Sequence, residues 1–189
     1  MNTEKSFEWI YNPFTRLAGW SAMVLGLLAA LLMSIVGTYS QVVFDGVIDV
    51  HFQSTDLLKS LSLVGISLAS LVLVFWLAGL IVAKPFRFID LAGTLTLAKA
   101  PFLIMALAGF LVTPPDLESV LANPMIIVQD PGFMGVLILS LPVMVWSVVL
   151  MHNAYRVSCG LKGRTLTISF IVALFVAEAV SKLLIYTLL

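Results

Sequence analysis

The chain has 189 residues, of which 61% are hydrophobic and only 11% charged, against about 45–50% and about 25% in ordinary soluble domains. Ten basic and ten acidic residues leave no net charge, and the cations are scattered between apolar stretches, which excludes the basic footprint of a nucleic-acid binder. In water such a chain would expose large contiguous apolar patches, so composition places it in the membrane class.

In chain order, residues 1–16 come first. They hold Glu4 and Glu8 among aromatics instead of the basic start and short apolar core of a signal peptide, so the first apolar span is expected to stay in the mature protein. Phe7, Trp9, Ile10, Tyr11 and Phe14 beside Lys5, Glu8 and Arg16 suit the headgroup region, and the segment reads as an interfacial anchor. Asn12-Pro13 reads as a helix start, with Asn12 as N-cap and Pro13 in the first helical position.

Stretches of about 20 apolar residues, enough to cross a bilayer, run over 17–43, 60–83, 91–113, 133–154 and 165–188. They are continuous, not alternating, which predicts helices over a barrel. The expected fold is therefore all-α: one membrane domain, residues 1–189, built as a bundle of five transmembrane helices.

The connecting segments divide by charge. Lys84 and Arg87 follow the second span, and Arg156, Lys162 and Arg164 follow the fourth. Asp45, Asp49 and Asp56 follow the first span with only Lys59 against them, and Asp116, Glu118 and Asp130 follow the third with no cation. The positive-inside bias then puts the N-terminus in the cytoplasm and the C-terminus outside. In the outer segment from Thr113 to Gly132, four prolines leave room for a short helical piece such as Asp116 to Ala122, and Met125-Ile126-Ile127-Val128 is too short to span. That run is expected to rest on the interface or cap the bundle.

Two stripes of small residues recur every four positions, and hence on one helix face. Ala18, Ala22, Gly26, Ala30, Ser34 and Thr38 lie in the first span; Thr165, Ser169, Ala173, Ala177 and Ser181 lie in the last. Such faces let helices approach closely in lipid. Packing within the chain is the preferred reading, and a homodimer seam along one stripe the competing one.

Three charged residues fall at membrane depth: Lys99 in the third span, close to Pro101, and Glu178 and Lys182 in the fifth. Lys99 reads either as a lysine snorkelling toward the cytoplasmic interface or as the lining of a polar cavity. Glu178 and Lys182 stand at i and i+4, the spacing of a same-face ion pair; the alternative makes Glu178 a proton or cation site. Transport would require these charges to face one water-accessible cavity, whereas a structural role would pair them with each other, with backbone or with the interface.

No HExxH, nucleophile elbow, P-loop or GxGxxG motif occurs, so no catalytic, cofactor or metal residue is expected. An intramembrane enzyme would need two catalytic groups converging on a cleft. The single cysteine, Cys159, has no partner for an intramolecular disulfide and reads as a reduced bystander.

Leu95-Thr96-Leu97-Ala98-Lys99-Ala100-Pro101-Phe102-Leu103-Ile104 resembles the third-helix signature of the Yip-domain family, the Ypt/Rab-interacting membrane proteins. Trp146-Ser147-Val148-Val149-Leu150 followed by Gly160-Leu161-Lys162-Gly163-Arg164 is similar to that family's tryptophan-to-leucine helix and basic turn. The resemblance implies a five-span membrane domain of the short bacterial type, in the bacterial cytoplasmic membrane, acting as a non-enzymatic adaptor or membrane-organising component. Its partners would be the bilayer and another membrane protein or a second copy. Eukaryotic members bind small GTPases through a long cytosolic N-terminal region and tyrosine-containing motifs. This chain shows only about a dozen residues in that region and no recognisable copy of the tyrosine-containing motifs, which counts against small-GTPase binding. The competing functional class is a small transporter or ion pathway using Lys99, Glu178 and Lys182.

Overall fold

The computed structural model describes residues 9–114, 117–123 and 125–189. Helices dominate it: α1 (Gly19–Ser40), α2 (Leu57–Val82), α3 (Phe88–Ala98), α4 (Phe102–Ala108), α5 (Leu117–Ala122), α6 (Met125–Gln129), α7 (Pro131–Cys159) and α8 (Gly163–Leu188). The strands β1 (Val42–Val43) and β2 (His51–Phe52) form one small antiparallel hairpin. Five helical stretches are long and apolar enough to cross a membrane: α1, α2, α3 with α4 as 88–111, α7 and α8.

Where these helices stop follows from local chemistry. The first ends at Ser40, short of the expected residue 43, because Gln41 turns left-handed at φ 58°. The apolar residues Val42 and Val43 thus belong to β1 instead. Asp56 caps α2, accepting from the Lys59 amide at 2.9 Å. Asp130 caps α7, accepting from Gly132 and Phe133 amides at 2.8 and 3.1 Å, with Pro131 in the first turn where its missing N–H costs nothing. At the far end of α7, Gly160 takes φ 63° and the Leu161 amide reaches back to the Arg156 carbonyl at 3.2 Å, a Schellman closure that lets the chain reverse into α8.

The third span is broken. Around Lys99–Pro101 the amides of Lys99, Ala100, Phe102 and Leu103 bond three residues back, not four. Pro101 has no amide to give, and the tightened turn separates α3 from α4. This interrupted span is also the centre of the bundle: 61% of its most apolar window is buried, against 33% or less in the other four. It packs on α1, α7 and α2, while α8 lies against α2.

The α1 contact is set by two glycines. A Cβ on Gly26 would lie 2.6 Å from the Leu97 amide nitrogen, and one on Gly93 would lie 2.5 Å from the Gly19 carbonyl oxygen. Only the missing side chains allow the two backbones this close. Between α2, α7 and α8 the core closes on Phe75, whose ring stands edge-on to Tyr155 at 5.0 Å and tilted to Phe170 at 5.6 Å.

The N-terminal segment is strapped to α7, the Trp146 indole donating to the Ile10 carbonyl at 2.6 Å and the Asn153 amide to the Tyr11 carbonyl at 2.8 Å. Trp9, Ile10 and Tyr11 stay exposed, whereas Phe14 is fully buried. Pro13 opens a single 3-10 turn, Pro13–Thr15, with no side-chain cap from Asn12. The expected start of the spanning helix therefore moves to Gly19. Phe7, Lys5 and Glu8, like Pro115, Asp116 and Pro124 of the later loop, lie outside the described residues.

Candidate functional site

The segment between α1 and α2 is the least expected part of the molecule. Read as an acidic surface loop, it instead turns back into one end of the bundle. Val42, Val43, Phe44 and Val47 are each 2% exposed or less. Val42 pairs with Phe52 and Val43 with His51, and Phe44 packs on Phe102 of α4 at 6.1 Å. Gly37 permits the return, since a Cβ there would sit 2.5 Å from the Val42 carbonyl oxygen.

Burying a hairpin tip among apolar helices leaves its peptide groups without water, and each needs a protein partner. Charged residues from the apolar stretches supply them. Lys99, 2% exposed, donates from Nζ to the Gly46 carbonyl at 3.0 Å and to Ser67 Oγ at 2.5 Å. Ser67 in turn donates to the same carbonyl at 2.6 Å. Across the tip, Glu178 Oε2 accepts from the amides of Val47 at 2.7 Å and Ile48 at 3.1 Å. Its other oxygen lies against Gly46, where no Cβ would fit. One lysine thus holds the tip's carbonyl and one glutamate holds its amides.

Nearer the surface, Lys182 Nζ bridges Asp45 Oδ2 at 3.1 Å and Asp49 Oδ2 at 2.6 Å. His51 Nε2 and Nδ1 approach the same two side chains at 3.3 and 3.4 Å, contacts that are ionic only when the imidazole is protonated. Asp45, Asp49 and His51 have the mutual spacing of a metal-binding group. The Lys182 ammonium, however, already occupies the space between the two carboxylates, so it supplies the charge a cation would bring.

Lys99, Glu178 and Lys182 therefore have a place in one cluster. Glu178 and Lys182 share a helix face but among the described residues form no pair with each other; each reaches a different part of the hairpin. Lys99 does not snorkel to the basic end. Because α3 stops at Ala98, its side chain is free to enter the bundle and meet Gly46. None of the cavities of about 320, 380, 640 and 710 Å³ is lined by Lys99, Glu178 or Lys182.

The two small-residue stripes lie partly inside the chain's own packing, with Ala18 and Thr165 at their ends exposed. Ala22, Gly26 and Ser34 are buried and Ala30 half-buried on α1; Ala173 and Ala177 are buried and Ser169 half-buried on α8. Sequence reasoning passed over Ser67, Gly46 and the amides of Val47 and Ile48. A serine in mid-span two and an Asp-Gly following three apolar residues were the available signals. Compared with known proteins, the chain matches no family model, no curated protein and no solved structure.

Proposed function

We propose that this chain is a non-enzymatic, multi-pass integral membrane protein of the Yip-like type, acting as an adaptor or membrane-organising component in the bacterial cytoplasmic membrane. Five long apolar helices support membrane insertion. The gathering of Lys84, Arg87, Lys162 and Arg164 at the end opposite the hairpin supports a cytoplasmic N-terminus and an outer C-terminus. The Yip likeness rests on the two stretches that carry it, the Lys99–Pro101 break and the α7–α8 turn. With most of the α1 stripe packed inside the chain, association with a second copy or another membrane protein falls to the lipid-facing surface.

One observation carries the non-transport reading. Lys99 and Glu178 are bonded to the hairpin backbone and Lys182 to its carboxylates, and none of the cavities described above is lined by any of the three. Charges spent on holding a buried loop are structural, whereas a transport site needs groups that exchange partners with a passing solute.

The test is flux through proteoliposomes holding the wild-type chain or Glu178→Gln. No flux of protons, alkali cations or small anions above empty vesicles is expected for either. A wild-type flux that disappears in Glu178→Gln would establish the transporter reading in its place.

A further inference from the structure

A groove runs along the outside of the bundle between α2 and α8, with a volume of about 710 Å³. Leu73, Leu77 and Ile81 form one wall and Ile168, Val172 and Val176 the other. Of the two hydroxyl residues in its lining, Thr165 and Ser169, Ser169 donates to the Thr165 carbonyl at 2.6 Å within its own helix, so its hydroxyl hydrogen is not offered to the groove. On α8 the lining extends from Arg164 to Val180, about 24 Å at about 1.5 Å per residue. That exceeds half of a hydrocarbon core about 30 Å thick, the reach of one acyl chain in one leaflet.

The groove does not end blindly. At Val82 and Thr165 it meets a second, polar pocket of about 640 Å³ between the α2–α3 and α7–α8 turns. Lys84, Arg87 and Lys162 line this pocket, and Arg164 stands at the mouth of the groove. The one carboxylate among the described lining residues is Asp90, 3.7 Å from Arg87. Lys84, Lys162 and Arg164 have no carboxylate partner among the described residues. Four cations around one acid, at the end of an apolar channel the length of a leaflet, form a site with two chemistries in series.

We propose that this composite site binds an anionic phospholipid, its acyl chain in the α2–α8 groove and its phosphate among Lys84, Arg87, Lys162 and Arg164. The inference rests on the membrane orientation argued above, which puts the basic pocket at the cytoplasmic leaflet, where anionic headgroups are concentrated. A neutral lipid would fill the groove equally well but leave the cations unmatched.

The experiment reconstitutes the full chain into vesicles of equal phosphatidylglycerol and phosphatidylcholine, then counts co-purifying lipids by native mass spectrometry after detergent release. Wild type is expected to retain phosphatidylglycerol in preference to phosphatidylcholine. The exposed-residue variant Lys84→Ala/Lys162→Ala/Arg164→Ala should lose that preference by about tenfold or more. Val172→Trp, which fills the groove without touching a charge, should lower retention of both lipids, and Lys59→Ala at the opposite end should change nothing. Equal retention of the two lipids by wild type, or an unchanged preference in the triple variant, overturns the lipid site alone. So does recovery as a dimer that Val172→Trp abolishes, which would assign the groove to a second copy. Failure of the wild-type chain to float with the vesicles overturns the membrane reading, and the lipid site with it.

Discussion

Two loops open onto the same end of the bundle, both acidic in sequence, and they behave in opposite ways. The first, between α1 and α2, is drawn into the core: Val42 and Val47 are 0% exposed, and its tip is bonded to α2, to α8 and to the break between α3 and α4. The second, between α4 and α7, stays outside as two short helices, with Leu121, Met125 and Val128 exposed. Their acids differ in the same way. Asp45 and Asp49 meet a lysine that rises from α8 to bridge them, while Asp130 turns to its own helix and caps α7. Acidity alone does not fix a loop's place. What decides it is whether apolar residues flank the turn and whether groups at depth stand ready to satisfy its backbone.

The sharpest way to break this comparison is at Glu178. Glu178→Ala removes the acceptor for two partly buried amides, leaving Val47 and Ile48 without that partner while Lys99 keeps its place in the bundle. A loss of about 3–5 kcal/mol is expected, from two hydrogen bonds to a charged group at about 1.5–3 kcal/mol each. Glu118→Ala, at an exposed position in the second loop, should lie within about 0.5 kcal/mol of wild type. Reversible unfolding in mixed micelles followed by circular dichroism compares the two. Equal effects at both positions would mean that the hairpin is not clasped.

Lys99→Met comes next, at about 1.5–3 kcal/mol, the value of a hydrogen bond to a charged group. The effect should fall short of Glu178→Ala because the Gly46 carbonyl keeps its bond from Ser67 at 2.6 Å. Methionine replaces most of the lysine stem, so packing against Phe102, which the ammonium overlies at 5.8 Å, is largely retained. The same unfolding measurement reads it, and a loss as large as that of Glu178→Ala would show that the two halves of the clasp fail together.

How much of this was legible beforehand divides along similar lines. The five spans were readable because about 20 apolar residues admit one reading in lipid, and the glycine and alanine stripes were readable because a four-residue repeat defines a helix face. Lys99, Glu178 and Lys182 were visible as anomalies, since charge at that depth needs a partner. Their partners were not visible. A backbone carbonyl at Gly46 and two amides at Val47 and Ile48 carry no side-chain signature. Val42 and Val43 read as the end of a span because nothing local marks Gln41 as the residue that would leave the helix. The i,i+4 spacing of Glu178 and Lys182 suggested a pair, yet the hairpin offered each a better-placed partner: fixed amides for the carboxylate, two carboxylates for the ammonium.

The smallest expected effect falls at the outer layer of the same cluster, and it separates the two layers by their response to salt. Lys182 is 37% exposed and Asp49 38%, so water already screens the bridge that joins them. Lys182→Met should cost about 1 kcal/mol or less. Most of that difference should vanish at high ionic strength, where the Debye length falls to about 3 Å at 1 M. The loss in Glu178→Ala should persist in the same salt series, because unpaired amides in an apolar core are not reached by mobile ions. If the Lys182→Met deficit were instead large and independent of salt, Lys182 would belong with Lys99 and Glu178 to a single buried clasp. Asp45 and Asp49 would then help to hold the hairpin in the bundle, not merely mark where it meets water.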